Sequence, residues 1–123
     1  MAIKNFHELI VWQKAMDLTI LVYQITKKLP KEEMYSLTNQ IRRAAVSIPS
    51  NIAEGQARHS IKEFTQYLSI AKGSKAELET QLILCQKIGY LTDSELSEIK
   101  HLLTEIGKML TTLVAKLRKS SGQ

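Results

Sequence analysis

The chain has 123 residues, of which 44% are hydrophobic and 24% are charged. This length allows one domain with a single buried core, and the scarcity of glycine and proline argues against a β-sandwich. Lysine and arginine outnumber aspartate and glutamate by 17 to 12, a balance that permits contact with nucleic acid or another acidic partner.

A single cysteine, Cys85, excludes an intramolecular disulfide and lies in an apolar stripe typical of a buried core thiol. The N-terminal residues lack the apolar run of a signal peptide, and no stretch approaches the roughly 20 apolar residues of a membrane span. We therefore expect a soluble, cytoplasmic protein without membrane contact.

Apolar residues recur at alternating steps of three and four, which is the helical period. The pattern predicts helices at about residues 7–28, 31–55, 61–88 and 93–118. Gly55 fits a C′ position, and the pairs Ser60/Glu63 and Thr92/Glu95 form capping boxes for the third and fourth helices. Because the connections are short, consecutive helices are antiparallel neighbours. The sequence thus predicts one all-α domain over 1–123, an antiparallel up-down-up-down four-helix bundle.

Pro49 lies in the middle of the second predicted helix. It has no N–H to donate to the carbonyl of Ala45, and its ring crowds that carbonyl, so the sequence predicts a kink at this position. Ser47, Ser50, Asn51 and Glu54 are placed to bond a freed backbone group.

Polar side chains recur at helical spacing on the second and third helices and predict a polar network between them. Its members are Ser47, Ser50, Asn51, Glu54, Glu63, Tyr67, Ser74, Glu77 and Gln81. Gly73 is predicted to allow close backbone approach there. Such a network either fixes packing and subunit register or contacts a ligand, and the pattern leaves both open.

Further apolar positions flank the core stripes, for example Trp12, Ile70 and Met109. They predict a homo-oligomer, with a wide core stripe in a monomer as the alternative. A di-metal centre needs two inward Glu-x-x-His pairs, whereas only Glu98 and His101 form one, off the core seam. With no phosphate-binding loop or nucleophile motif either, we expect no metal, no cofactor, no catalytic residue and no enzyme.

The candidate residues for contact with nucleic acid or another partner are Arg42, Arg43, Arg58, Lys62, Lys72, Lys75 and Lys87. Neighbouring helical residues point about 100° apart, so at most one of Arg42 and Arg43 can join the polar network. No recognition-helix signature is present, so any binding is expected to be directed at the backbone and sensitive to salt.

Several segments of the chain resemble the sequences of a known protein family. The segment IRRAAVSIPSNIAEG at 41–55 is very similar to its core motif, and residues 6–15, 63–82 and 89–91 continue the match. The family is that of the four-helix-bundle proteins of 23S ribosomal RNA intervening sequences, related to the accessory (variability determinant) proteins of diversity-generating retroelements. The resemblance implies a bacterial bundle that assembles as a ring, a homopentamer, with structured RNA or a reverse transcriptase as partner.

The leading hypothesis is a non-enzymatic, homo-oligomeric bundle that binds RNA or a nucleic-acid-processing partner through a basic surface. The alternative is a protein–protein scaffold with no direct nucleic-acid contact.

Overall fold

A computed structural model describes residues 6–120 and folds them into a helical bundle. Its helices are α1 (Ile10–Thr26), α2 (Leu37–Gln56), α3 (Ile61–Ile88) and α4 (Asp93–Ser120). Contacts join α1 to α2, α2 to α3, α3 to α4 and α4 to α1, and within 6–120 none joins a diagonal pair. The predicted antiparallel four-helix bundle is confirmed. Residues 1–5 and 121–123 of the predicted domain lie outside the described part.

The core is built from one apolar stripe on each helix. Leu18 of α1, Ile48 of α2, Leu68 of α3 and Leu110 of α4 are all completely buried. The stripe of α4 keeps steps of three and four over its whole length: Leu96, Ile99, Leu103, Ile106, Leu110, Leu113 and Leu117. This spacing keeps the seam on one side of a straight helix, which is the geometry of bundles packed at small crossing angles.

The first two helices are shorter than the sequence predicts. A 3-10 turn at Phe6–Glu8 precedes α1, and another at Lys31–Glu33 precedes α2, which begins only at Leu37. The backbone of Ser36 (φ −128°, ψ −99°) is not helical, and its hydroxyl bonds the Glu33 carboxylate at 2.6 Å. The prediction of one helix from residue 31 is wrong because this local side-chain bond competes with the helical ladder.

The starts of α3 and α4 agree with the predicted caps. The Ser60 hydroxyl accepts the backbone N–H of Glu63 at 3.0 Å. At α4, Thr92 and Glu95 each accept the other's backbone N–H, a complete capping box. Between these helices Gly89 adopts φ 98°, a conformation that favours glycine and ends α3.

Pro49 is accommodated without interrupting α2. The Ala45 carbonyl, which Pro49 leaves without its helical donor, lies 3.2 Å from the Thr19 hydroxyl of α1. Asn51 instead donates to the Ser47 carbonyl, two residues beyond the freed group. The compensating donor thus comes from α1 rather than from the residues flanking Pro49, and the predicted kink stays a prediction.

Two glycines have roles opposite to those predicted. Gly55 is buried inside α2 rather than beyond its end, and a Cβ built there would lie 2.6 Å from the Cβ of Tyr67. Apart from the backbone of its own helix, a Cβ on Gly73 would meet no atom of residues 6–120 within 4 Å. The close approach of α2 and α3 therefore occurs at Gly55, near the turn that joins them.

Glu33 ties the α1–α2 connection to the α3–α4 turn. Its carboxylate accepts hydrogen bonds from the Ser36 hydroxyl at 2.6 Å and from the Tyr90 hydroxyl at 2.8 Å. These two bonds lower the pKa of Glu33 below its ordinary 4.5, and the bond from Ser36 has the larger effect. A carboxylate with a lowered folded-state pKa stabilises the fold above its unfolded pKa, and the contribution is lost as the pH falls through the folded value.

We therefore expect Glu33→Gln to destabilise the protein at neutral pH and to do so progressively less as the pH falls below about 4.5, the ordinary pKa of glutamate. Urea unfolding between neutral and acidic pH measures the difference from the wild type. Glu32→Gln, at an exposed neighbouring position, is the matched control and should keep the wild-type profile. A Glu33→Gln difference that does not change with pH would contradict the expectation.

Candidate nucleic-acid interface

The predicted polar network is present in its central part. The hydroxyls of Ser47 on α2 and Ser74 on α3 are 2.7 Å apart, and Asn51 donates to the Ser47 hydroxyl at 2.9 Å. All three side chains are only partly exposed. Ser50, by contrast, is exposed on α2 and makes no side-chain hydrogen bond within 6–120.

A second polar cluster lies where α2 turns into α3. Arg58 donates to the Glu54 carboxylate at 2.9 Å and to the Tyr67 hydroxyl at 2.6 Å, and its guanidinium carbon lies 5.0 Å from the centroid of the Tyr67 ring. The Glu54 hydrogen bond is the main reason that the pKa of Arg58 is raised. Glu63 contributes only its backbone N–H to the Ser60 cap. The charge of Arg58 is thus already matched inside the cluster.

Arg42 and Arg43 separate as their helical positions require. Arg42 turns to α1, where its guanidinium donates to the Thr26 hydroxyl at 2.9 Å and lies 4.7 Å from the centroid of the Tyr23 ring. Arg43 is exposed and lines an α2/α3 groove of about 420 Å³ together with Glu77 and Gln81. Within 6–120, Arg43 makes no hydrogen bond or ion pair.

Basic side chains converge on the other side of α3, in a groove shared with α4. This groove, of about 710 Å³, is lined by Lys72 and Lys75 of α3 and by Lys108 of α4. Lys72 donates to the Thr111 hydroxyl across the groove at 3.3 Å. Lys75 pairs with Glu79 and passes over Gly107, whose missing side chain leaves room for the lysine stem. We call this surface the lysine groove.

The lysine groove includes two of the predicted binding residues, Lys72 and Lys75. Lys62 is exposed near the start of α3, and the three predicted arginines lie on other faces of the bundle. Sequence reasoning did not select Lys108. The available signal was the charge polarity of α4, whose residues 106–120 contain four basic side chains and no acidic one: Lys108, Lys116, Arg118 and Lys119.

Comparison with known proteins fixes the family. Residues 7–112 match the family model described as 23S rRNA-intervening sequence protein. The chain belongs to this family. No curated protein matches the chain.

A solved structure resembles this member of the 23S rRNA-intervening sequence family over most of its length. It is a protein of unknown function from the S23 ribosomal protein family of Bacteroides thetaiotaomicron. The two are 27% identical with a TM-score of 0.79, and the match covers 85% of this chain and 98% of the other. The likeness therefore supports the fold and the family, and it assigns no activity.

The range matched by the family model includes some of the basic residues described above and not others. Lys72, Lys75 and Lys108 lie inside the matched range 7–112, whereas Lys116, Arg118 and Lys119 follow it.

Among the described helices, none combines the length and hydropathy needed to cross a membrane.

Proposed function

We propose that this family member is a non-enzymatic, homo-oligomeric bundle that binds RNA through the lysine groove. The observation that carries the proposal is the convergence of Lys72, Lys75 and Lys108 from two helices on one open groove. Groups of ammonium side chains bind phosphates largely through charge, with little dependence on sequence. The resemblance to the intervening-sequence and retroelement proteins favours RNA as the polyanion.

The chemistry of the groove suits a phosphate backbone. Lys108 is exposed and makes no hydrogen bond or ion pair within 6–120, and Thr104, Thr111 and Thr112 add hydroxyls along the same groove. Glu79 pairs with Lys75 and reduces the local positive charge without cancelling that of Lys72 and Lys108. Basic residues of the second half of α4 extend the surface beyond the groove.

Exposed apolar side chains support the oligomer. Ile20 of α1 is 54% exposed, and Ile70 and Ile88 of α3 are 51% and 55% exposed. Because α1 and α3 are diagonal in the bundle, these side chains lie on opposite sides of the molecule. Two different faces that meet head to tail generate a closed ring when the rotation closes. The resemblance implies that this ring is a homopentamer.

The test is RNA binding by the variant Lys72→Glu/Lys108→Glu, measured by fluorescence anisotropy with a labelled RNA stem-loop at several salt concentrations. We expect affinity to fall at least roughly tenfold at low salt. The slope of log affinity against log salt should fall by about 1 for each phosphate that the variant no longer binds. The slope of the wild type counts the phosphates engaged.

The control variant is Lys27→Glu/Lys87→Glu, which makes the same change of charge outside the lysine groove, where α1 and α3 end and both side chains are exposed. It should keep most of the affinity. Equal losses of affinity in both variants would show that net charge rather than the lysine groove governs binding. No binding by the wild type at low salt would favour the protein–protein scaffold instead.

A further inference from the structure

Two grooves on opposite sides of the bundle carry complementary chemistry. The first is the α2/α3 groove lined by Arg43, Glu77 and Gln81. The second lies between α1 and α4, has a volume of about 450 Å³, and is lined by Asp17, Ile20, Glu98 and Leu102, among others. We call them the Arg43 groove and the acidic groove.

The charges of the two grooves are open for an outside partner. Arg43 has no partner within 6–120, and neither does the carboxylate of Asp17 or Glu98. All three side chains are exposed. An exposed arginine matches a groove lined by two unpaired carboxylates and by apolar side chains, because guanidinium–carboxylate bonds are charge-assisted. The Glu77 carboxylate in the Arg43 groove makes no ion pair with Arg43.

Gln81 adds a buried polar group to the Arg43 groove. Its side chain is only 8% exposed, and its Oε1 has no hydrogen-bond donor within the described residues. A buried carbonyl oxygen without a donor costs free energy unless a partner supplies one. The Gln81 side chain lines the same groove as Arg43.

Exposed apolar side chains lie near the charged residues of both grooves. On the Arg43 side, Val46 of α2 is 39% exposed and Leu84 of α3, two helical turns beyond Glu77, is 45% exposed. On the acidic side, Met16 is 39% exposed and lies one turn from Ile20. Each face therefore combines exposed apolar side chains with charged ones, and both kinds of group occur in protein interfaces.

The two grooves are also at the same height along the bundle. Arg42, next to Arg43, donates to the Tyr23 carbonyl, and the following residue of α1, Gln24, lines the acidic groove with Glu98. A ring whose axis runs along the bundles therefore brings one copy's Arg43 opposite the next copy's acidic groove. Two acidic grooves facing each other would instead place like charges together.

We infer that the acidic groove of one copy binds the Arg43 groove of the next, with Arg43 between Asp17 and Glu98 of its neighbour. The inference rests on the proposed homo-oligomer and specifies its interface. The contact is heterologous, so every copy uses both faces.

Charge reversal tests each face by size-exclusion chromatography with light scattering. We expect Arg43→Glu alone, and Asp17→Lys/Glu98→Lys alone, each to abolish the oligomer and to run at the mass of the 13.9 kDa chain. Both variants change exposed side chains, and circular dichroism checks that the bundle is retained. Lys27→Glu and Glu32→Lys, also at exposed positions, are the matched controls and should stay oligomeric.

Restoration of the charge pairs is the decisive step. The triple variant Arg43→Glu/Asp17→Lys/Glu98→Lys should regain the oligomer, because each interface again joins opposite charges. Mixing the two defective proteins should also give species heavier than either protein alone, because every contact between unlike copies joins opposite charges. Such copies alternate in open chains or even-numbered rings, since a closed ring of five cannot alternate two kinds of copy.

The outcomes separate the inference from the proposal on which it rests. A monomeric wild type would reject the oligomer itself. An oligomeric wild type whose reversals leave the mass unchanged, or whose triple variant and mixture both stay monomeric while helical, would overturn this interface and leave the oligomer standing.

Discussion

We expect Gly55→Ala to lower the free energy of unfolding by about 1–3 kcal/mol, the usual cost of overpacking a close-packed interior. The new Cβ would lie 2.6 Å from the Cβ of Tyr67 and 3.3 Å from the backbone oxygen of Phe64. Neither atom is the free end of a flexible side chain, so relief requires that α2 and α3 move apart. That movement would also disturb the Arg58–Glu54–Tyr67 cluster beside it.

Gly73→Ala is the matched control, because it makes the same chemical change inside α3 where, apart from the backbone of that helix, no atom of residues 6–120 lies within 4 Å. Alanine is favoured over glycine in a helix by roughly 0.5–1 kcal/mol, so this variant should be more stable than the wild type. Urea unfolding of both variants gives the two free energies. Equal effects of the same sign at the two positions would contradict the packing difference.

These glycines show where prediction from sequence stops. Helical periodicity depends only on the chain itself, so the four helices and the core stripe of α4 were predictable. Capping boxes are equally local, and both predicted boxes mark real helix starts. Which glycine faces another helix depends on how the helices rotate and approach, and the sequence of one helix does not contain this information.

The candidate site was predictable in part for the same reason. The Ser47–Ser74 contact follows from two polar stripes that face each other. The lysine groove instead combines residues of α3 with Lys108 and Thr111 of α4, which lie more than thirty positions further along the chain. The spacing of residues in the sequence predicts which side chains share one face of a helix. It does not predict which side chains of two different helices lie next to each other.

The two proposals together assign a role to three faces of the bundle. If the α2/α3 and α1/α4 faces meet between copies, the α3/α4 face with the lysine groove stays open on every copy. A ring would then present the groove several times to one RNA, and linked sites bind with an avidity above that of a single site. A monomeric Arg43→Glu variant should thus bind long RNA more weakly while its lysine groove is intact.

Thr19 and Pro49 form the second pair for which we expect a large effect. The Thr19 hydroxyl lies 2.8 Å from the Ala15 carbonyl of its own helix and 3.2 Å from the Ala45 carbonyl of α2, so its single proton is shared in a three-centre bond. Ala45 is completely buried, which keeps its carbonyl from water. Thr19→Val preserves the shape of the side chain and removes the donor, so we expect the free energy of unfolding to fall by about 1–3 kcal/mol.

A double-mutant cycle with Pro49→Ala identifies the cause. Alanine at position 49 restores the N–H that bonds the Ala45 carbonyl within α2, so the Thr19 hydroxyl becomes dispensable there. The cost of Thr19→Val should then shrink to within about 0.5 kcal/mol, the usual size of a substitution that breaks no buried hydrogen bond. If Thr19→Val costs the same with proline and with alanine at position 49, the hydroxyl does not act through the Ala45 carbonyl, and α2 tolerates Pro49 for another reason. A coupling above about 1 kcal/mol would show that α1 supplies the hydrogen bond that the proline removes.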